Sequence, residues 1–315
     1  MSTVSERPVV SAATAERAGA ELRAASVRDW VRLARPRQWV KNTFLLAPLL
    51  FSGRALDPHA QLAALGALVA FCLLASAIYI GNDIVDAAAD RAHPVKRNRP
   101  IAAGRISPLA AAGAASLLLA GALALAWKLG PGLTAVAVSY VVLNVIYSFR
   151  LKHVVLLDVF VIASFFILRL FAGATAIGVQ PSVWLLLCGG LLALYLGFTK
   201  RRHELTLLGD ASSAHRAVLS HYTAELLDQI AVVLLSATVI SYVMYTRESA
   251  TAAAVGSDAL SYSTVFVIYG VFRYLYLVHR KNGGSPTETL LTDRSLLLAV
   301  LAWLVYCGVI VYRPR

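Results

Sequence analysis

Charge is what this sequence has least of. Asp, Glu, Lys and Arg make up 15% of its 315 residues, against about 25% in ordinary soluble domains. That is too little to cover a water-facing surface, which excludes a soluble globule. Acid is scarcer than base, with 17 Asp and Glu against 29 Lys and Arg and a net charge of +12. Cysteine is nearly absent. Cys72, Cys188 and Cys307 lie singly in apolar stretches, with no disulfide or metal-binding spacing. No nucleic-acid-binding motif accompanies the basic charge, so nucleic acid is not an expected partner. Residues 1–27 have no apolar period and no h-region of a signal peptide. They read as a disordered tail rich in Ala, Ser, Glu and Arg, leaving 28–315 as a single transmembrane helical domain.

Apolar residues fill the space. They form 58% of the chain, and the mean hydropathy is +0.68. Runs of about 20 apolar residues are the mark of transmembrane helices. Nine are expected, near 42–56, 60–82, 107–128, 131–149, 154–177, 182–199, 224–246, 258–279 and 295–312. The fold class is therefore an all-α polytopic membrane protein, a bundle of about nine helices in a lipid bilayer. With the N-terminus inside, 22 of the 29 Lys and Arg fall on the inner side. The positive-inside rule then makes the N-terminus cytoplasmic and the C-terminus external.

Against this background "NDIVDAAADRAHPVKRNRP" stands out at the inner end of the second run. Asp83, Asp86 and Asp90 follow an i, i+3, i+7 pattern and share one helical face with Asn82. Three carboxylates so close repel one another unless a cation compensates them. Hard oxygen ligands suit Mg²⁺, which takes one or two carboxylates and completes its shell with water and substrate phosphate. Lys96, Arg97 and Arg99 follow at once and suit the negative charge of a diphosphate. Carboxylates at a membrane are costly and tend to be functional. A solvated acidic helix end is the plain alternative. Arg169 lies mid-span and needs a partner, either Asp158 or a lipid phosphate. Tyr147, Arg150 and Lys152 end the fourth run, and Arg37, Lys41 and Asn42 open the first. An interfacial belt explains these as readily as binding does. His93 reads as a surface histidine.

"NDIVDAAAD" resembles the NDxxDxxxD motif of the UbiA superfamily of intramembrane prenyltransferases. "RPRQWVKN", "YSFRLKH", "LRLFAGA", "KRRHEL" and "LTDRSLLLAVLAW", in order along the chain, are similar to its phosphoribosyl-transferring members. The resemblance implies a Mg²⁺-dependent enzyme of the plasma membrane with its active site on the cytoplasmic side. Its substrates would be 5-phosphoribosyl 1-diphosphate and a polyprenyl phosphate such as decaprenyl phosphate. The product would be a precursor for cell-wall arabinan. Asp83, Asp86 and Asp90 would hold the metal. Asn82, Lys96, Arg97, Arg99, Arg37, Lys41, Asn42, Tyr147, Lys152, Arg169, Lys200, Arg201 and Glu204 would contact substrate.

Members that prenylate aromatic acceptors carry a second aspartate-rich motif after the sixth span. Here that place reads "KRRHEL", with one Glu204 and an isolated Asp210. This argues against the alternative activity, transfer of a prenyl group to an aromatic or other lipid acceptor. An ordinary positive-inside loop would also account for the basic residues. A transporter is disfavoured, because the spans show no inverted repeat. A homo-oligomer is compatible with the sequence, which does not set the oligomeric state.

Overall fold

The computed structural model describes residues 25–208, 217–248, 258–280, 289 and 292–312. Eleven α-helices are used below. They are α1 (Val27–Ala34), α2 (Ala47–Phe51), α3 (Pro58–Val85), α4 (Ala87–Ala92), α5 (Pro108–Leu129), α6 (Pro131–Phe149), α7 (Leu157–Ala176), α8 (Val183–Leu208), α9 (Ala224–Arg247), α10 (Thr264–Arg280) and α11 (Arg294–Val311). No strand occurs among the described residues.

Among the described residues, eight helical spans are long and apolar enough to cross a membrane: α3, α5, α6, α7, α8, α9, α11 and the Asp258–His279 stretch containing α10. Their ends are set by local chemistry. Pro108 and Pro131 open α5 and α6, where a missing N–H costs nothing. The Asp293 side chain accepts from Leu296 N–H and caps α11, and Thr223 does the same for α9 through Leu226 N–H.

The expected span at 42–56 differs in kind. Residues Pro36–Leu46 form a 3₁₀ helix, followed only by the five-residue α2. Asn42 within it is fully buried, and Gly53 beyond it has φ +73°. A 3₁₀ helix rises about 2.0 Å per residue. Both pieces together therefore reach roughly 30 Å, the thickness of the hydrocarbon core.

The chain divides into two compact units, residues up to 36 with 76–117, and 37–75 with 118–315. In the first, α1 is tied to the C-terminal half of α3 by Ser76 Oγ donating to Ala34 O at 2.8 Å. Arg105 Nε donates to Asp29 Oδ1 at 2.8 Å. Asp29 also forms a capping box with Ser26. The Ser26 hydroxyl bond, followed by burial acting in opposition and then by Arg105, leaves the Asp29 carboxyl below its ordinary range.

In the second unit α8 packs on both α7 and α9. Small residues set the spacing, as they do between membrane helices generally. A Cβ on Gly173 of α7 would lie 1.8 Å from the Leu45 carbonyl oxygen, so the 3₁₀ segment rests on α7 backbone to backbone. Gly173→Ala is expected to destabilise the detergent-purified protein by more than the 1–3 kcal/mol typical of overpacking, because the obstructing atom is backbone. Gly113→Ala, where nothing lies within 4 Å, should not destabilise and should add up to about 1 kcal/mol, the helix-propensity difference. Thermal unfolding of both variants checks this.

Candidate functional site

In the first unit α3 runs to Val85, Asp86 interrupts it as a single-residue turn, and α4 resumes at Ala87. The helical ladder continues through the interruption. Asp86 N–H bonds Asn82 O at 2.9 Å, and Asp90 N–H bonds Asp86 O at 2.8 Å. The spacing that put the aspartates on one face is thus preserved. A loop then folds back. His93 Nδ1 accepts from the Val95 and Lys96 N–H groups, which gives this histidine a turn-forming role. Lys96 and Arg97 are exposed on a 3₁₀ turn, Lys96–Asn98. Arg99 turns inward. Its Nη1 donates to Asp83 Oδ1 at 3.0 Å and to Asp90 Oδ2 at 2.5 Å.

Arg35 meets the same carboxylate from α1. Its Nη2 donates to Asp83 Oδ1 at 2.5 Å, and its guanidinium lies 5.2 Å from the centre of the Tyr79 ring. Arg35 reaches there because it ends α1 in a left-handed conformation, φ +54°. Arg35 is absent from the residues singled out in the sequence, although "RPRQWVKN" begins with it. Asp83 and Asp90 side chains are each 4% exposed, whereas Arg35 and Arg99 are 26% and 28% exposed. Asp86 is half-buried and belongs to none of the ion pairs among the described residues.

No group of three or more His, Cys, Asp or Glu among the described residues is gathered to hold a metal by itself. The three aspartates expected to share one ion are therefore not collected into a cage. What is present fits Mg²⁺ in its usual mode. Asp83 and Asp90 meet two guanidiniums, Asp86 is in none of the ion pairs among the described residues, and the donors are all oxygen. One or two carboxylates plus water and substrate phosphate are what this ion takes.

In the second unit the "KRRHEL" segment lies on α8. Arg201 is buried, with its side chain 2% exposed. Its Nε donates to Asp158 Oδ2 at 2.8 Å, and its Nη1 donates to Glu204 Oε2 at 2.6 Å. Tyr222 donates to the other Asp158 oxygen at 3.1 Å and accepts Leu156 N–H. Burial pushes its phenol up to about 12. Lys200 is exposed, 3.9 Å from Glu204. Arg202 pairs with Asp228.

Asp158 is thus the partner of Arg201, not of Arg169 as one reading of the sequence had it. Arg169 instead donates to Asn42 Oδ1 at 2.7 Å, Tyr140 OH at 2.8 Å and Phe165 O at 2.8 Å. Its guanidinium also stacks near Tyr140 and Phe166. Asn42 in turn donates to Cys72 Sγ. Arg169 and Asn42 are both buried, and amide, phenol, carbonyl and ring faces meet a mid-span charge where a carboxylate was anticipated. Of the other residues expected to contact substrate, Arg37 is exposed, whereas Lys41, Tyr147 and Lys152 are half-buried. Tyr147 packs edge-on against Phe165.

Several known proteins are similar to this chain. Decaprenyl-phosphate phosphoribosyltransferase of Mycolicibacterium smegmatis is 35% identical over 296 residues, 91% of this chain and 93% of that protein. The protein of the same name from Mycobacterium tuberculosis is 36% identical over 282 residues, 88% and 92% of the two chains. Nodulation protein NoeC of Azorhizobium caulinodans is 33% identical over 288 residues, 87% and 92%. Among solved structures, a UbiA homolog from Archaeoglobus fulgidus bound to GPP and Mg²⁺ superposes with a TM-score of 0.67 at 18% identity. The match covers 90% of this chain and 99% of that one, and at that identity it speaks for the fold. Residues 43–301 match the UbiA prenyltransferase family, and this integral, multi-pass membrane protein belongs to it.

Proposed function

We propose that this enzyme transfers 5-phosphoribose from 5-phosphoribosyl 1-diphosphate to a polyprenyl phosphate, releasing diphosphate. The observation that carries the reading is identity of 35–36% across about nine-tenths of the chain to enzymes named for that activity. The absence of a second acidic motif supports it. Glu204, the one acidic residue of "KRRHEL", accepts from Arg201, so that segment offers no second carboxylate cluster for a metal diphosphate.

The acidic face of the first unit takes the diphosphate. Asp86 and Asp90 would hold Mg²⁺, with Asn82 one turn away; when bound, the ion would neutralise charge on the leaving group. Arg99 supplies charge-assisted hydrogen bonds to diphosphate oxygens, with Arg35, Lys96 and Arg97 adding positive potential. The acceptor phosphate is already anionic, so the reaction requires no strong base. The protein contributes positioning and leaving-group stabilisation. Lys200 and Lys152, in the second unit, have the charge to bind a phosphate. Arg201 serves as a positioning residue, since two carboxylates already occupy it. The product suits cell-wall arabinan synthesis.

The test incubates purified protein and Mg²⁺ with labelled phosphoribosyl diphosphate and a polyprenyl phosphate. Label appearing in a lipid supports the reading. Transfer only from a prenyl diphosphate to an aromatic or lipid acceptor would replace it. The site is assigned to the cytoplasmic face from the positive-inside imbalance. Single cysteines placed within 83–106 or 200–208 should escape an impermeant thiol reagent applied to intact cells. Strong labelling at either would reverse the orientation.

A further inference from the structure

Two arginines serve Asp83, but only one of them also serves Asp90. Arg35 contacts Asp83 alone, while Arg99 Nη1 bridges Asp83 and Asp90. Among the described ion pairs, Asp90 has no partner other than Arg99. Both carboxylates are nearly buried, and both guanidiniums are about one-quarter exposed. The carboxylates cannot turn to water, whereas the guanidiniums can leave.

If Arg99 leaves, Asp83 still has Arg35. Asp90 then has no cation, and an uncompensated buried carboxylate is strongly unfavourable. Arg99 can therefore swing to an incoming diphosphate only if another cation reaches Asp90. A divalent ion about 2.1 Å from one Asp90 oxygen would sit beside a guanidinium nitrogen 2.5 Å from the other, and two cations on one carboxylate repel each other. We propose that Arg99 is an exchangeable cation: it holds Asp90 until metal and diphosphate arrive together, then passes from the carboxylate to the diphosphate as the metal takes its place. Arg35 stays on Asp83 throughout. The enzyme consequently loads its donor as the metal complex and binds the bare metal weakly. This rests on the reading of the acidic face as a metal–diphosphate site, and not on the identity of the sugar or acceptor.

Full-length protein in detergent is titrated with Mn²⁺, free ion being read by electron paramagnetic resonance, with and without inorganic diphosphate. Wild type should bind Mn²⁺ weakly alone and more tightly with diphosphate, after correction for the Mn²⁺–diphosphate complex in solution. Arg99→Gln should bind Mn²⁺ alone about tenfold or more tightly than wild type, the equivalent of one charge-assisted hydrogen bond no longer in competition. Diphosphate should then add little. Arg35→Gln removes the same charge from the same Asp83 oxygen but leaves Asp90 occupied, so its gain should be much smaller. Arg99→Lys keeps a cation and should stay near wild type. Equal gains in Arg99→Gln and Arg35→Gln would reduce the effect to general electrostatics and overturn the exchange. So would Arg99→Gln binding Mn²⁺ no better than wild type. Because diphosphate is the probe, a failed phosphoribosyl transfer assay with this pattern intact would sink the substrate assignment alone.

Discussion

Asp90→Asn should lower turnover by more than about a hundredfold while leaving the protein folded in detergent. Losing a group that merely orients a metal ligand typically costs about 10–100-fold, and Asp90 does more than orient. It is the buried carboxylate that Arg99 approaches at 2.5 Å, and in the proposed reaction it holds the metal. Asparagine keeps the shape and one acceptor oxygen but removes the charge. Asp86→Asn should follow closely, since Asp86 supplies the carboxylate outside the arginine pairs. Asp83→Asn should be severe for another reason, the loss of the anchor shared by Arg35 and Arg99. Initial rates with phosphoribosyl diphosphate, on protein whose elution profile and thermal unfolding match wild type, decide the matter. Activity within threefold of wild type in all three variants would return the cluster to a solvated acidic helix end.

The parts of this site that follow one helix were legible in the sequence, and the parts that join two elements were not. Helical periodicity alone put Asp83 and Asp90 on one face, and the ladder through Asp86 keeps them there. The apolar runs located seven of the eight α-helical spans to within about three residues, because burial in lipid demands continuous apolarity. The exception was α8, expected to end at 199. It continues to Leu208 because Arg201, Arg202 and Glu204 find partners at Asp158, Asp228 and one another, which composition cannot announce. Residues 42–56 failed for the opposite reason. Their apolarity is that of a span, but Pro36 opens a 3₁₀ helix that runs to Leu46, and only the five-residue α2 follows it. Arg35 was missed because its role depends on a left-handed turn, and Arg169 was given either Asp158 or a lipid phosphate because a buried cation suggests an anion. In the structure an amide, a phenol and a carbonyl meet it instead.

That exchange of partners makes Arg201 the residue whose loss should cost the most stability. The family resemblance offered Arg201 as a substrate contact, a side chain whose removal would raise a KM. Its burial argues otherwise. Asp158 is 0% exposed and Arg201 1% exposed, and among the described residues Asp158 has, apart from Arg201, only the Tyr222 hydroxyl against its charge. Removing one member of a buried pair leaves the other uncompensated and typically costs 3–5 kcal/mol. Arg201→Met should therefore lower the unfolding temperature sharply or abolish the folded, detergent-soluble protein. Asp158→Asn should do nearly the same, because Arg201 would keep only Glu204, whose side chain is 25% exposed. Glu204→Gln should cost about 1 kcal/mol or less, as a partly solvated pair does. The combination Asp158→Asn with Arg201→Met removes both charges at once, and a buried pair replaced by neutral groups is often tolerated. It should recover most of the stability lost by either single variant. Thermal unfolding of the four proteins gives the coupling directly. A folded, normally stable Arg201→Met protein with a raised KM for either phosphate substrate would show that Arg201 binds substrate after all, with its carboxylate partners incidental.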